Sequence, residues 1–290
     1  MTLRGCQRVA YVVLAFTSVM MWACDEAEDT SRIAIAGGSL TEIVYLLGLE
    51  DRIVATDTTS VYPDAAQSFP SIGYVRALST EGILSINPSL LLSEDDAGPP
   101  HVIKQLKELG VEVRTVPEEQ TARGIIDKAL CVAKILGATE SERSSLERRL
   151  QKEETRLDST RKQLEEVRAT VIFGINDGIP TVGGEGTSGH SLLAMIGLRN
   201  TFDNVSGWKP VSLESMVEAN PQVLIVPQRA LDISGGQKIV IESKSIQMTE
   251  AGKKEQFVVA DTMALLGFGP RTLSTAADLA EQVLGMIVQE

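Results

Sequence analysis

The chain carries one short signature twice, at a constant offset of 133 residues. Each copy has a serine, an acid two residues later, an Asn-Pro pair and an apolar run, at positions 79, 81, 87–88 and 90–92 and again at 212, 214, 220–221 and 223–225. A serine favours the start of a helix, and Asn-Pro favours its end. The repeat therefore predicts two similar halves, each with a capped short helix that leads into a buried strand.

Apolar runs alternate with amphipathic stretches on both sides of the chain. Strands are predicted at 33–36, 53–56, 90–93, 111–116, 170–174, 223–226 and 257–260, with helices near 41–49, 100–109 and 272–289. This alternation is typical of parallel sheets with crossover helices. The predicted fold class is α/β, with two Rossmann-like lobes at 32–138 and 169–290.

Residues 139–168 have no Gly or Pro and are rich in Glu, Arg, Lys and Leu. They predict one long helix between the lobes, on the order of 40 Å in length at the usual rise per residue. A coiled coil is the alternative, but the leucines do not sustain heptads. Two lobes bridged by such a helix predict a ligand cleft between them.

The amino terminus has the features of a secretion signal. Arg4 and Arg8 precede an uncharged run at 9–23, which is short for a membrane span. The run ends in Met21-Trp22-Ala23-Cys24 and resembles the lipobox of bacterial lipoproteins, which implies acylation of Cys24. Cleavage without a lipid is the alternative. We therefore expect a leader at 1–23, an acidic tether at 24–31, and a location in the periplasm or on the outer face of the cytoplasmic membrane.

Charge and cysteine content exclude several other classes. A formal charge of −12 opposes nucleic-acid binding. Three cysteines and two histidines are too few for a disulfide scaffold or a common zinc site. Cys6 falls in the leader, Cys24 is expected to carry the lipid, and Cys131 lies in an apolar helical pattern that predicts a buried free thiol. No structural disulfide is expected.

Several glycine-rich and aromatic segments carry a family resemblance: 37–42, 57–60, 62–63, 73–82, 97–100, 207–210 and 265–272. With them, residues 32–290 resemble the haem-binding extracytoplasmic proteins of bacterial haem ABC importers. These belong to the helical-backbone (class III) binding proteins, which also include vitamin B12 and siderophore binders. The resemblance implies a protein that captures ferric haem and hands it to an importer, without being an enzyme.

The resemblance assigns the haem iron to Tyr74. A phenolate is a hard anionic oxygen ligand that suits Fe(III), and a nearby cation, here Arg76, favours the phenolate form. His190 follows a glycine-rich turn in the other lobe and is a candidate for a second axial ligand.

The resemblance also suggests contacts for the rest of haem and for the importer. Arg271 and Lys209 are candidates for the propionates, and Trp208 for the porphyrin plane. Glu81 and Glu214, one in each repeat, imply docking onto a permease dimer by a monomeric binding protein. Membrane contact would be through the lipid alone.

Two other functions remain open at this point. The same scaffold could carry cobalamin or a ferric siderophore, in which case Tyr74 would line the site without binding iron. An extracytoplasmic haem enzyme would need acid–base groups beside an open iron site, and His190 is the candidate for that role.

Overall fold

The structure is a computed structural model that describes residues 24–288. The predicted leader, with Cys6, lies outside the described residues. The described chain divides into two compact units: unit 1 holds residues 24–117 and 130–143, and unit 2 holds residues 118–129 and 144–288. The prediction of an α/β chain with two units is confirmed, and the cleft between them stays a prediction.

Unit 1 is built on a four-stranded parallel sheet in the order β2-β1-β3-β4. The strands are β1 (Ile33–Ala36), β2 (Ile53–Thr56), β3 (Leu90–Glu94) and β4 (Glu112–Val116). Its helices are α1 (Gly38–Leu46), α2 (Thr80–Ile86) and α3 (Pro100–Glu108). Every side chain of β1 is buried, as expected for a central parallel strand covered on both faces.

Two longer helices follow, α4 (Ala122–Ile135) and α5 (Glu140–Arg161). The predicted helix over 139–168 is present, but its predicted end is wrong. After Arg161 the chain forms tight turns. The N–H of Leu164 donates to the Arg161 carbonyl, and the N–H of Val167 donates to the Leu164 carbonyl. These turns bury Leu164 completely and bring the chain into the next strand at Arg168.

Unit 2 contains a six-stranded mixed sheet in the order β10-β9-β5-β6-β8, with β7 beside β5. The strands are β5 (Arg168–Asn176), β6 (Ile179–Gly183), β7 (Arg199–Asn200), β8 (Trp208–Pro210), β9 (Val223–Pro227) and β10 (Phe257–Ala260). Strands β10, β9, β5 and β7 are parallel, whereas β6 and β8 add an antiparallel extension. The sequence did not predict this extension.

The remaining helices of unit 2 are α6 (Ser188–Ile196), α7 (Leu213–Ala219), α8 (Gln228–Ser234), α9 (Gln237–Glu242), α10 (Lys244–Gln247), α11 (Glu250–Lys253), α12 (Thr262–Leu266) and α13 (Pro270–Val288). Helix α13 buries its apolar face, as its sequence pattern predicts. Within residues 24–288, no helix is long and apolar enough to cross a bilayer.

The repeated signature forms the same local structure in both units. The Ser79 and Ser212 hydroxyls cap α2 and α7, and each helix ends at a left-handed asparagine, Asn87 or Asn220. The predicted caps and helix ends are therefore confirmed.

An arginine that the sequence analysis did not single out also stands at the same place in both units. Arg32 Nε donates to the Asn87 carbonyl at 2.9 Å, and Arg168 Nε donates to the Asn220 carbonyl at 3.2 Å. Each arginine comes just before or at the start of a central strand, so it ties that strand to the end of the repeated helix.

The structure of the amino-terminal segment contradicts the predictions made for Cys131, for the absence of a structural disulfide and for the tether. Cys24 and Cys131 form a disulfide across 107 residues, so Cys131 is not a free thiol and a structural disulfide is present. The Cys24 sulfur, which the predicted lipid would occupy, is bonded to Cys131 instead. The expected tether is also wrong: the N–H of Ala27 donates to the carbonyl of Ile135 at 2.9 Å, and Ala27 is buried. The tether was predicted from the acidic and polar composition of this segment. Composition does not show which main-chain groups form hydrogen bonds, and here such bonds attach the segment to unit 1.

Candidate functional site

The candidate site of unit 1 lies on loops at the carboxyl ends of its parallel strands. Residues 71–78 lie beside the end of β2, where Thr58 N–H donates to the Gly73 carbonyl at 2.9 Å. The same loop is joined to the one after β3, because Gly98 N–H donates to the Val75 carbonyl at 2.9 Å. The carboxyl edge of a parallel sheet is where open α/β proteins bind ligands.

A buried carboxylate fixes the neighbouring loop. Asp57 is 3% exposed and accepts hydrogen bonds from the N–H of Gly37 at the start of α1, from Thr59 and from the Ser60 hydroxyl. Thr59 Oγ1 in turn accepts from the N–H of Gly38 at 2.9 Å. These bonds satisfy donors that a helix start leaves open, so the edge of the sheet beside the candidate site is rigidly held.

Tyr74 and Arg76 meet on this edge, as the sequence predicted. Tyr74 is 43% exposed, and Arg76 Nη1 donates to its phenolic oxygen at 2.9 Å. Arg76 also donates through Nε to Asp96 Oδ2 at 2.7 Å, and its Nη2 contacts the same oxygen. The guanidinium thus bridges the Tyr74 phenol and one carboxylate oxygen of Asp96.

The electrostatics of this group keep Arg76 charged. The hydrogen bond to Asp96 is the main cause that raises the pKa of the Arg76 guanidinium above its ordinary value. The side chains of Arg76 and Asp96 are both well exposed to solvent, and exposed ion pairs contribute little to stability. The ion pair therefore adds little to the stability of the fold. Its main effect is to hold an Arg76 N–H at the Tyr74 phenolic oxygen.

Trp208 lies four residues before Ser212, much as Tyr74 lies five residues before Ser79, so it is the matching aromatic residue of unit 2, but it has a different environment. Its ring packs on Phe173, with ring centroids 4.9 Å apart. A Cβ added at Gly183 would lie 2.9 Å from the indole, and one at Gly189 would lie 2.8 Å from it. Both glycines are therefore needed for the close approach of the ring, and unit 2 itself covers much of Trp208.

His190 lies in the first turn of α6 and is held by Asn200. The Asn200 side chain is buried; its Nδ2 donates to the Gly183 carbonyl and its Oδ1 accepts from the N–H of Phe202. These two bonds orient the amide so that Nδ2 faces His190 Nδ1 at 3.1 Å. With the amide in this orientation, Asn200 Nδ2 is the donor and His190 Nδ1 is the acceptor. A metal-ligating histidine usually donates its second ring nitrogen, so this geometry favours a structural role.

The other predicted site residues lie as follows. Lys209 is exposed on β8, whereas Arg271 is mostly buried at the start of α13, with Nη1 3.0 Å from Asp261 Oδ1. Glu81 and Glu214 are exposed in the first turns of α2 and α7. Hydrogen bonds from its own backbone N–H and from Ser212 lower the pKa of Glu214 below its ordinary value, so it is charged at neutral pH.

Two polar residues at these sites, Asp96 and Asn200, were not predicted from the sequence. Asp96 lies two residues after the end of β3, in the acidic run Glu94-Asp95-Asp96, and a carboxylate at the end of a parallel strand was an available signal. Asn200 is in a two-residue strand that has no sequence pattern of its own. Within residues 24–288, no group of three or more His, Cys, Asp or Glu residues could hold a metal ion.

The fold and the site agree with a family comparison. Residues 33–264 match the periplasmic binding protein family Peripla_BP_2, and the chain belongs to that family.

Solved structures similar to the chain are named as haem binders. The periplasmic haem-binding protein BhuT, in complex with two haems, is 30% identical with a TM-score of 0.78, over 88% of this chain and 98% of that one. The periplasmic haem-binding protein RhuT from Roseiflexus sp. RS-1 is 28% identical with a TM-score of 0.79, over 89% and 99%.

Curated relatives are more distant. The uncharacterized ABC transporter substrate-binding lipoprotein YvrC of Bacillus subtilis is 24% identical, over 88% of this chain and 81% of that protein. A vitamin B12-binding protein of Vibrio vulnificus is 23% identical, over 88% and 91%. The chain is therefore a substrate-binding protein of the periplasmic type, and its ligand has to be argued from the site.

Proposed function

We propose that this protein captures ferric haem outside the cytoplasmic membrane and delivers it to an ABC importer, with Tyr74 as the iron ligand. The observation that carries the proposal is the exposed Tyr74 phenol, whose oxygen accepts a hydrogen bond from Arg76 at 2.9 Å. Ferric iron prefers an anionic oxygen, and a guanidinium beside that oxygen stabilises its anionic form. The similarity to BhuT and RhuT supports haem as the ligand.

Asp96 balances the charge of this group. Arg76 alone would place a full positive charge beside the phenolate, whereas the Arg76–Asp96 pair is neutral as a whole. The pair still directs one N–H of Arg76 at the phenolic oxygen. Asp96 therefore acts as a positioning residue: it orients the guanidinium and moderates its field at the iron ligand.

His190 is not needed for this proposal, since its Nδ1 accepts from Asn200. Lys209 and Arg271 stay predicted propionate contacts. Arg271 would have to share its guanidinium between Asp261 and a propionate, because Nη1 is already 3.0 Å from that carboxylate.

Delivery assigns a second role to the repeated helices. Glu81 and Glu214 are exposed at equivalent points of α2 and α7, and the proposal has them dock onto basic groups of a permease dimer. Paired acidic contacts would orient the protein and speed its encounter with the partner.

The test is a titration of the purified protein with ferric haem, followed by absorption spectroscopy. The wild type should give a saturable Soret band and a tyrosinate charge-transfer band. Tyr74→Phe should lose the charge-transfer band and bind on the order of 100-fold more weakly, since loss of a ligand should cost at least as much as loss of an outer-shell partner. Tyr62→Phe, at another exposed tyrosine of unit 1, is the matched control and should behave as the wild type.

The relatives named as vitamin B12-binding proteins make cobalamin the competing ligand. A parallel titration with cyanocobalamin measures that affinity directly. Tight cobalamin binding with no saturable haem signal would replace haem as the ligand, and unchanged haem binding by Tyr74→Phe would remove Tyr74 as the iron ligand.

A further inference from the structure

The amino-terminal segment 24–32, here called the N-terminal strap, is attached to unit 1 along its whole length. One end is covalent, through the Cys24–Cys131 disulfide. The other end runs into β1 at Ile33. The sequence predicted a free tether here. Whether the strap is free or docked depends on the contacts that its intervening residues make with unit 1.

The first part of the strap contacts the last turns of α4. Asp25 pairs with Lys134 at 3.1 Å, and the N–H of Ala27 donates to the Ile135 carbonyl at 2.9 Å. That carbonyl belongs to the end of α4, where helix carbonyls lack partners inside the helix. Cys131 is one turn earlier on the same helix and is 7% exposed. The strap therefore completes the carboxyl end of α4.

The second part of the strap contacts β4 and other parts of unit 1. Arg114 Nη2 donates to the Glu26 carbonyl at 3.2 Å, and the N–H of Glu28 donates to Glu112 Oε2 at 2.9 Å. Farther along, the Ser89 hydroxyl donates to the Asp29 carbonyl at 3.0 Å and Arg52 donates to the Thr30 hydroxyl at 2.9 Å. β4 is an edge strand of the sheet, so the strap joins that edge to α4.

We propose that Cys24 is a disulfide site, whose oxidation locks the strap onto α4, and that this bond takes the sulfur atom a lipoprotein anchor would need. A diacylglyceryl anchor is a thioether on the cysteine sulfur, and one sulfur atom cannot carry both bonds. With the strap docked, Cys24 faces a buried cysteine and not a membrane. This inference is independent of which ligand the protein binds.

The chemistry balances as thiol–disulfide exchange. The oxidant is a dithiol–disulfide protein of the extracytoplasmic space, used in its disulfide form. One cysteine thiolate of the chain attacks that disulfide and forms a mixed disulfide, and the second thiolate then displaces the oxidant. The Cys24–Cys131 bond forms, the oxidant's S–S bond breaks, and its two sulfurs leave with two electrons and two protons as a dithiol.

The test is mass spectrometry of the full chain expressed with its own leader in a bacterium that has both the lipoprotein and the disulfide machinery. We expect a non-reduced peptide that joins Cys24 to Cys131 and no diacylglyceryl mass on Cys24. Cys6→Ser is the matched control and should give the same peptide. A diacylglyceryl group on Cys24, or two free thiols in the exported protein, would overturn the proposal.

A second measurement tests the lock itself. Hydrogen exchange of the Ala27 amide, which bonds to Ile135, is compared between the oxidised wild type and Cys131→Ser. Exchange should become at least about tenfold faster in the variant, because local opening no longer has to work against the covalent link. Equal exchange rates would show that the strap docks without help from the disulfide and would overturn the locking role.

Discussion

The two aromatic loops of the repeat have diverged more than the helices that follow them. In both units a serine cap, a left-handed asparagine and an arginine on its carbonyl are kept. The aromatic residues differ: Tyr74 is exposed and hydrogen-bonded to Arg76, whereas Trp208 packs on Phe173 and two glycines of its own unit. A repeat can therefore preserve its framework while one copy leaves its aromatic residue exposed, at the ligand site that we propose, and the other packs its aromatic residue against its own unit.

The largest expected effect is a difference in stability between variants of these two aromatic residues, measured in the ligand-free protein. Trp208→Ala should lower the free energy of unfolding by about 3 kcal/mol, because it leaves a cavity against Phe173 and the glycines. Tyr74→Ala should change it by less than about 0.5 kcal/mol, as is usual for exposed positions. Urea unfolding of both variants measures the difference. If Tyr74→Ala costs as much as Trp208→Ala, the division into a binding loop and a packing loop is wrong.

A loss of stability of intermediate size is expected when the arginine that occupies the same place in both units is replaced. Arg32→Met and Arg168→Met each remove guanidinium hydrogen bonds to the end of the repeated helix and should each cost about 1–2 kcal/mol. Arg149→Met, at an exposed position of α5, is the control and should be close to neutral. Urea unfolding is again the measurement. If only one of the two substitutions lowered the free energy of unfolding, the two units would not share this stabilising contact.

The smallest expected effect is a pH dependence specific to unit 2, where Glu250 lies 3.0 Å from Arg168. A hydrogen bond from Lys254, together with weaker contributions that include Arg168, lowers the pKa of Glu250 below its ordinary value of 4.5. A carboxyl whose pKa is lower in the folded state contributes stability above its unfolded pKa, and this contribution is lost as the pH falls through the folded value.

The difference in unfolding midpoint between the wild type and Glu250→Gln should therefore be constant above pH 4.5 and shrink below it. The pH range over which this difference shrinks should be narrower in a Lys254→Met background than in an Arg168→Met background, because Lys254 is the larger cause of the lowered pKa of Glu250. Urea midpoints measured across the acid range check both statements. A difference that does not change with pH would contradict them.

Much of the fold could be predicted because its signals are local. The bounds of β1, β2 and β10 match the predicted runs, since each is a short apolar segment between turn residues. The end of α5 was not predictable in this way, because residues 162–168 are good helix formers whose turn is fixed by burial of Leu164.

The site was predictable only in part for the same reason. Tyr74 and Arg76 are two residues apart, so their contact follows from a local motif. The contacts of Trp208 with Gly183 and Gly189 come from separate parts of the chain, as does the disulfide. The family resemblance suggested a porphyrin contact for Trp208, whereas its packing on Phe173 and the two glycines is visible only in the folded chain.

The long loop closed by the disulfide also sets an order of events during synthesis. Cys24 is made first and must remain unpaired while the next 107 residues are added, which takes on the order of ten seconds at usual rates. All four strands of the first sheet lie between the two cysteines. The native bond can therefore close only after all four of these strands have been made. The closed disulfide thus reports that every strand of the unit 1 sheet has been made.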